Sequence, residues 1–178
     1  MILETERLLL RPWTEADAES LFEYARDERV GPVTGWRVHT SVEESREIIR
    51  TVLSAPENYA VCLKENGKAI GCVALTMGAK SNLSLPENEG EIGYWIGVPF
   101  WGRGLIPEAV QELIRHAFVD LSVQCLWCGY FDGNEKSKRV LDKCGFTYQR
   151  TDRDICWKPM NDIRTEHITR LAKDEWEK

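Results

Sequence analysis

Between residues 91 and 131 the chain passes without a break through four kinds of segment. A strand-like run (Glu91-Ile92-Gly93-Tyr94-Trp95-Ile96-Gly97-Val98) leads into a Gly-x-Gly turn, then helical spacing over 106–118, then a second strand-like run over 123–131. This order constrains the fold more than any other feature, because two strands joined by a helix-length crossover return parallel to one another. Ala109, Val110, Leu113, Ile114 and Ala117 recur at helical spacing, and Pro107 falls in a first turn, where its missing N–H is not needed.

The flanking segments read differently. Arg7–Arg11 is a strand ended by Pro12, and Thr14 caps a helix carrying Ala18, Leu21, Phe22 and Ala25, with Glu15 and Asp17 in its first turn. A loop with Gly31-Pro32 and Gly35-Trp36 precedes Ser41, which forms a capping box with Glu44 and opens a second helix with Ile48, Ile49, Val52 and Leu53 on its apolar side. Runs at 59–63 and 68–77 flank Glu65-Asn66-Gly67, the signature of an antiparallel hairpin, and 80–89 is a polar loop. Downstream, Asn134 caps a helix with Val140 and Leu141 inward and Gly145 at its end, followed by strands near 147–157 and 163–171. The order β α α β β β α β α β β predicts an α/β fold: a mixed, mostly antiparallel sheet with one parallel βαβ crossover and about four helices. A length of 178 residues suits a single domain, 1–178.

Several function classes are disfavoured. Charges of both signs are interspersed, for a net of -6, and no basic stripe suggests nucleic acid. The first residues are charged and no apolar run approaches a membrane span, so a cytoplasmic protein with no membrane partner is expected, as a monomer or homodimer. Six cysteines lie within apolar runs and read as reduced core thiols. Cys125 and Cys128 make a C-x-x-C, but three residues apart on a strand they face opposite sides, which suits packing rather than zinc or redox chemistry. His39, His116 and His167 have no metal-ligand spacing, so no metal is expected.

The turn Trp101-Gly102-Arg103-Gly104-Leu105-Ile106 presents unpaired backbone N–H groups at the positive end of a helix, which suits a phosphate. Two glycines also serve ordinary strand-to-helix turns. Pro107 occupies the third glycine of a dinucleotide fingerprint, and the Gly-Lys-Ser/Thr of a nucleotide P-loop is absent, so a different phosphate-bearing cofactor is indicated.

Taken with Glu91-Ile-Gly-Tyr-Trp-Ile, with Glu108-Ala109 after the turn, and with Asn134-x-x-Ser137-x-x-Val140-Leu-x-Lys143-x-Gly145-Phe146, this turn resembles that of the GNAT acetyltransferase superfamily. Within it, the chain is similar to the ribosomal-protein N-acetyltransferases of the RimJ/RimL type. The resemblance extends to Thr5-Glu-Arg-Leu-x-Leu-Arg11, Gly35-Trp36 with Ser41-x-x-Glu44, and Glu175-Trp176, nearly the whole chain. It departs at Trp101, where the family pattern has Gln or Arg, and at Ile106, where it has a small residue.

The resemblance implies transfer of an acetyl group from acetyl-CoA to a primary amine, either a protein N-terminus or a small molecule. It places the pantetheine arm along the main chain of Ile96 and Val98 and the pyrophosphate on Gly102, Arg103, Gly104, Leu105 and Ile106, with Asn134 and Ser137 also on the cofactor. Glu91 is the implied proton acceptor, with Glu89 next. Leu141 stands where many relatives have a tyrosine acid, so Ser137, or else Tyr130 or water, protonates the departing thiolate. Trp36 and Tyr94 offer aromatic walls for an acceptor pocket, although Tyr94 and Trp95 also suit core packing. Loss of that tyrosine leaves a second reading open, a non-catalytic acyl-CoA sensor on the same fold.

Overall fold

The computed structural model describes residues 1–177. Eight strands form one sheet: β1 (Leu3–Glu4), β2 (Leu8–Pro12), β3 (Asn58–Leu63), β4 (Ala69–Met77), β5 (Glu89–Ile96), β6 (Cys125–Phe131), β7 (Thr147–Trp157) and β8 (Asp162–Ala172). Their order is β1-β2-β3-β4-β5-β6-β8-β7. Every neighbouring pair is antiparallel except β5 and β6, as the central βαβ pattern requires.

The helices are α1 (Ala18–Ala25), α2 (Gly31–Thr34), α3 (Val42–Ile48), α4 (Leu105–Arg115), α5 (Glu135–Lys143) and α6 (Lys173–Trp176). Two of these, α2 and α6, are single turns too short to show a period, and the two-residue β1 is equally invisible to pattern. Both α3 and α4 run on into wider turns, 49–53 and 116–120.

Local chemistry explains most boundaries. At the start of the first helical segment, the Thr14 N–H and hydroxyl both donate to Asp17 Oδ2 at 2.9 Å, and Arg11 pairs with the same carboxylate through two 2.7 Å bonds. Ser41 accepts from the Glu44 N–H at 3.0 Å, but the returning half of the expected capping box lands one residue earlier: Glu44 accepts from the N–H and hydroxyl of Thr40. Gly67 adopts φ +71° in the β3–β4 turn, a conformation that Asn-Gly sequences reach without strain.

Each face of the sheet carries its own core. On one face α4 buries Leu105, Ile106, Ala109, Val110, Leu113 and Ile114 against Ile92, Ile96 and Leu126. Leu141 of α5 joins this core at 1% exposure, where truncation to alanine would cost about 2–5 kcal/mol. The opposite face packs α1 through Leu21 and Ala25, and the wider turn after α3 through Ile49, on Trp13, Ala60 and Cys62. Cys125 and Cys128 are both buried, and burial pushes the Cys128 thiol well above its ordinary value.

Candidate active site

The parallel β5–β6 pairing lasts only three positions, Glu89↔Cys125, Gly90↔Leu126 and Glu91↔Trp127. Beyond it both strands continue, β5 to Ile96 and β6 to Phe131, so they diverge and leave a gap in the middle of the sheet. On its other side β5 stays paired with β4 as far as Gly71↔Ile96, and the Gly97 N–H donates to the Ile70 carbonyl at 2.8 Å. Hydrogen-bonded pairs alternate along an antiparallel ladder, so residues 91, 93, 95 and 97 bond toward β4. Ile92, Tyr94 and Ile96 therefore aim their N–H and C=O groups toward the gap.

Strand β5 ends at Ile96, two residues before the expected boundary. Val98 belongs instead to a short 3-10 turn, Val98–Phe100, with its carbonyl bonded to the Trp101 N–H at 3.1 Å. Trp101 folds back so that its indole N–H donates to the Ile96 carbonyl at 3.0 Å, while Lys136 Nζ lies 3.5 Å from its ring centroid. The residue that departs from the polar pattern thus caps the gap-facing carbonyl at the end of β5 and ties the turn to α5.

Gly102 and Gly104 take φ of +73° and +75°, which a side chain would strain. The first intrahelical bond of α4 runs from the Glu108 N–H to the Gly104 carbonyl, so the N–H groups of Leu105 and Ile106 precede it and lack helical partners. Leu105 and Ile106 bury their side chains in the core, which keeps the bulk of Ile106 away from the turn's open side. The turn is braced from behind: Glu108 accepts from the Thr5 hydroxyl at 2.5 Å and from the Arg7 N–H and Nε at 2.9 and 2.7 Å, and Arg7 donates onward to the Arg103 carbonyl at 3.0 Å.

Turn, strand end and the start of α5 enclose a cavity of about 1020 Å³. Tyr94, Trp95, Ile96, Gly102, Gly104, Leu105, Ile106, Asn134 and Ser137 line it, bringing together most of the expected site. Its basic lining comes from Arg29, Lys136, Arg139 and Lys143. The Arg103 guanidinium lies 5.7 Å from the Phe100 ring centroid, outside the lining.

At the mouth of α5, Asn134 Oδ1 accepts from the Ser137 N–H at 3.2 Å, capping the helix. The hydroxyls of Tyr94 and Ser137 are 2.8 Å apart, and burial holds the Tyr94 phenol well above its ordinary pKa, in its protonated form. Tyr130 packs on His167 with ring centroids 5.0 Å apart and does not line the cavity.

Strand alternation puts Glu91, Gly93 and Trp95 on the α1/α3 face, opposite Tyr94. Trp36 shares that face, with its ring centroid 5.8 Å from that of Trp95, so Trp36 and Tyr94 lie on opposite sides of the sheet rather than in one wall. Glu91 Oε2 accepts from the Ser81 hydroxyl at 2.6 Å and the Asn82 N–H at 3.0 Å. Glu89 Oε2 accepts from the Trp127 indole at 2.5 Å. Loop and strands meet over the gap: the Trp157 indole donates to the Gly35 carbonyl at 2.6 Å, and Arg164 to the Pro32 carbonyl at 2.9 Å.

One carboxyl at this gap escaped the sequence reading. Burial, then the charges of Glu91 and Asp152, push Glu166 of β8 up to about 7. Only the pairing of β8 with β6, and of β6 with β5, brings it to the side of the gap that Glu91 borders, so no local signal marks it.

Among the described residues the sheet is mixed and opens between its one parallel pair of strands, with a glycine turn and a helix start at the opening. Residues 7–147 match the family model described as Acetyltransferase (GNAT) domain, and the chain belongs to this family of acetyltransferases. It is 30% identical over 157 residues, 85% of both chains, to the uncharacterized N-acetyltransferase p20 of Bacillus licheniformis. The uncharacterized N-acetyltransferase YoaA of Bacillus subtilis is 29% identical over 150 residues, 82% of both chains. Among solved structures, a GNAT-family acetyltransferase from Bacillus anthracis superimposes with a TM-score of 0.86 at 22% identity, over 98% of this chain and 99% of that one. The ribosomal-protein-S5-alanine acetyltransferase of Vibrio fischeri gives 0.76 at 20%, over 99% and 98%. These two likenesses speak for the fold. No helix among the described residues is long and apolar enough to cross a membrane.

Proposed function

We propose that the protein is an acetyl-CoA-dependent N-acetyltransferase whose acceptor is a primary amine, a protein N-terminus or a small molecule, and that the amine attacks the thioester directly. The observation that carries this reading is the gap itself: β5 loses β6 as a partner where the backbone groups of Tyr94 and the N–H of Ile96 face a cavity that ends at the glycine turn, the Ile96 carbonyl being capped by Trp101. An extended amide-bearing arm bonds there as an added strand, and the N–H groups of 102–106 and the start of α4 receive a pyrophosphate. Lys136, Arg139 and Lys143 supply the charge for the remaining phosphate.

Bound acetyl-CoA supplies a thioester carbonyl open to attack. The chain's own groups do the rest. Ser137, backed by the Tyr94 hydroxyl, gives the departing sulfur its proton. Glu91, on the other face of the gap, draws in the acceptor's ammonium. Calorimetric titration with CoA, followed by thiol-release assays over a panel of primary amines, tests the proposal; no CoA binding, or no release with any acceptor, overturns it. The sensor reading stems from Leu141, which is buried in the core, yet the Tyr94–Ser137 pair provides hydroxyls at the cavity in place of the missing tyrosine.

A further inference from the structure

Glu166 pairs with Phe131 across β8 and β6, and its carboxyl folds over Gly129, where an added Cβ would overlap Oε1. Carrying the β5–β6 register two residues past Glu91↔Trp127 sets Gly129 level with Gly93 across the gap. The space above Gly93 is open, with nothing within 4 Å of an added Cβ. Two glycines, one bare and one under a carboxyl, thus form the floor of a slot on the α1/α3 face. Trp95 with Trp36 stands on one side, Phe131 with Trp157 on the other. Glu91 lies on the same face, two residues before Gly93.

We infer that Glu166 is the residue that takes the proton from the acceptor's ammonium, with Glu91 holding that ammonium beside it. This rests on the N-acetyltransferase reading and assigns its proton acceptor. The two carboxylates are set up for different work. Glu91 Oε2 is fixed by two donors, the Ser81 hydroxyl and the Asn82 N–H. Among the described residues none hydrogen-bonds or ion-pairs with the Glu166 carboxylate. The charged groups around it are Glu91 on β5, Asp152 and Arg150 on β7 and Arg164 on its own strand. Arg150 is held by Asp152 and Arg164 by Asp162; the charges of Glu91 and then Asp152 disfavour the ionised form of Glu166, and Arg150 offsets them only in part. A carboxyl titrating near 7 suits proton abstraction at neutral pH.

The step balances. The ammonium loses one proton to Glu166, and the freed lone pair forms the C–N bond to the acetyl carbon as the C–S bond breaks. The second proton shed by the nitrogen balances the one gained by the sulfur. The products are one amide, one thiol and one proton, which Glu166 passes to water.

The test compares kcat/KM against pH for the wild type, Glu166→Gln, Glu166→Asp and Glu91→Gln, alongside infrared titration of the carboxyl bands with and without n-butylammonium. The wild type is expected to gain activity through an inflection near 7. Glu166→Gln should lose that inflection and fall about 10²–10³-fold at neutral pH, Glu166→Asp should recover part of the rate, and Glu91→Gln should move the inflection to lower pH. The infrared band near 7 should vanish in Glu166→Gln and move down on adding butylammonium. An inflection that survives in Glu166→Gln, or the absence of any carboxyl titrating above the ordinary range, overturns the assignment while the transferase reading stands. Failure of the wild type to bind CoA or release thiol overturns both.

Discussion

The hydroxyl oxygens of Tyr94 and Ser137 lie 2.8 Å apart, joining the gap-facing strand to the first turn of α5. Tyr94 also donates to the Ser137 carbonyl at 3.1 Å, with the Ser137 hydroxyl then donating to it, so both bonds tie Tyr94 to the same residue.

If this pair protonates the departing sulfur, Ser137→Ala and Tyr94→Phe should each slow turnover by about 10²-fold, and the double variant should be little worse than either single one, because the two act as a unit. A thioester whose thiol is more acidic needs less help to leave. Steady-state rates with such a substrate should show a smaller deficit; an undiminished deficit would count against proton donation.

Gly104→Val should weaken CoA binding by more than tenfold. A β-branched residue at φ +75° costs about 1–2 kcal/mol or more and shifts the N–H groups on which the pyrophosphate depends. Gly67→Ala, at φ +71° in the distant β3–β4 turn, strains the backbone similarly and serves as the control. Calorimetry on both separates a local effect from a general loss of stability.

Glu108 works from behind the turn. Against the penalty of its burial, hydrogen bonds from Thr5 and Arg7 hold its carboxyl below the ordinary value. Its folded pKa is depressed, so its stabilisation is present above the unfolded value and is lost as pH falls through the folded one. Glu108→Gln should therefore be less stable than the wild type at neutral pH, with the two melting curves converging in acid. CoA affinity should fall too, since Arg7 would no longer be braced to hold the Arg103 carbonyl.

Glu166 carries the opposite sign. Its folded pKa is raised to about 7 from 4.5, so its contribution is fully present below the unfolded value and is lost as pH rises through 7. Glu166→Gln should be level with the wild type at pH 4 and more stable above pH 7. The gain is on the order of 1–2 kcal/mol once solvent screening at a half-buried carboxyl is allowed for. Thermal melts across this range test it; a variant that gains nothing above pH 7 contradicts it.

Periodicity and turn chemistry made the central βαβ unit, the Asn66-Gly67 hairpin and the four longer helices legible, because each rests on spacing within a few turns of chain. Distant partners hid the rest. Nothing near Glu44 says that its carboxylate will choose Thr40 over Ser41, and nothing near Val98 reveals that Trp101 will close β5 at Ile96. The turn and the start of α5, where the cofactor is expected, were readable, since both are contiguous motifs. The acceptor side was less so: Trp36 and Tyr94 share a site only if strand alternation is ignored, and Glu166 reaches the side of the gap that Glu91 borders only after β8 has paired with β6 and β6 with β5.

Three ladder positions join the two halves of the sheet at β5 and β6. Between the long strands at the centre of the sheet this is a short seam, with α4 packed on one face and the loop that carries Pro32 and Gly35 on the other. A ligand lying along β5 would act as a stitch, and amides on both banks of the seam should exchange with solvent more slowly once it is in place. Binding and stiffness are then one property of this protein, and a substitution that loosens the seam would lower affinity without touching the ligand at all.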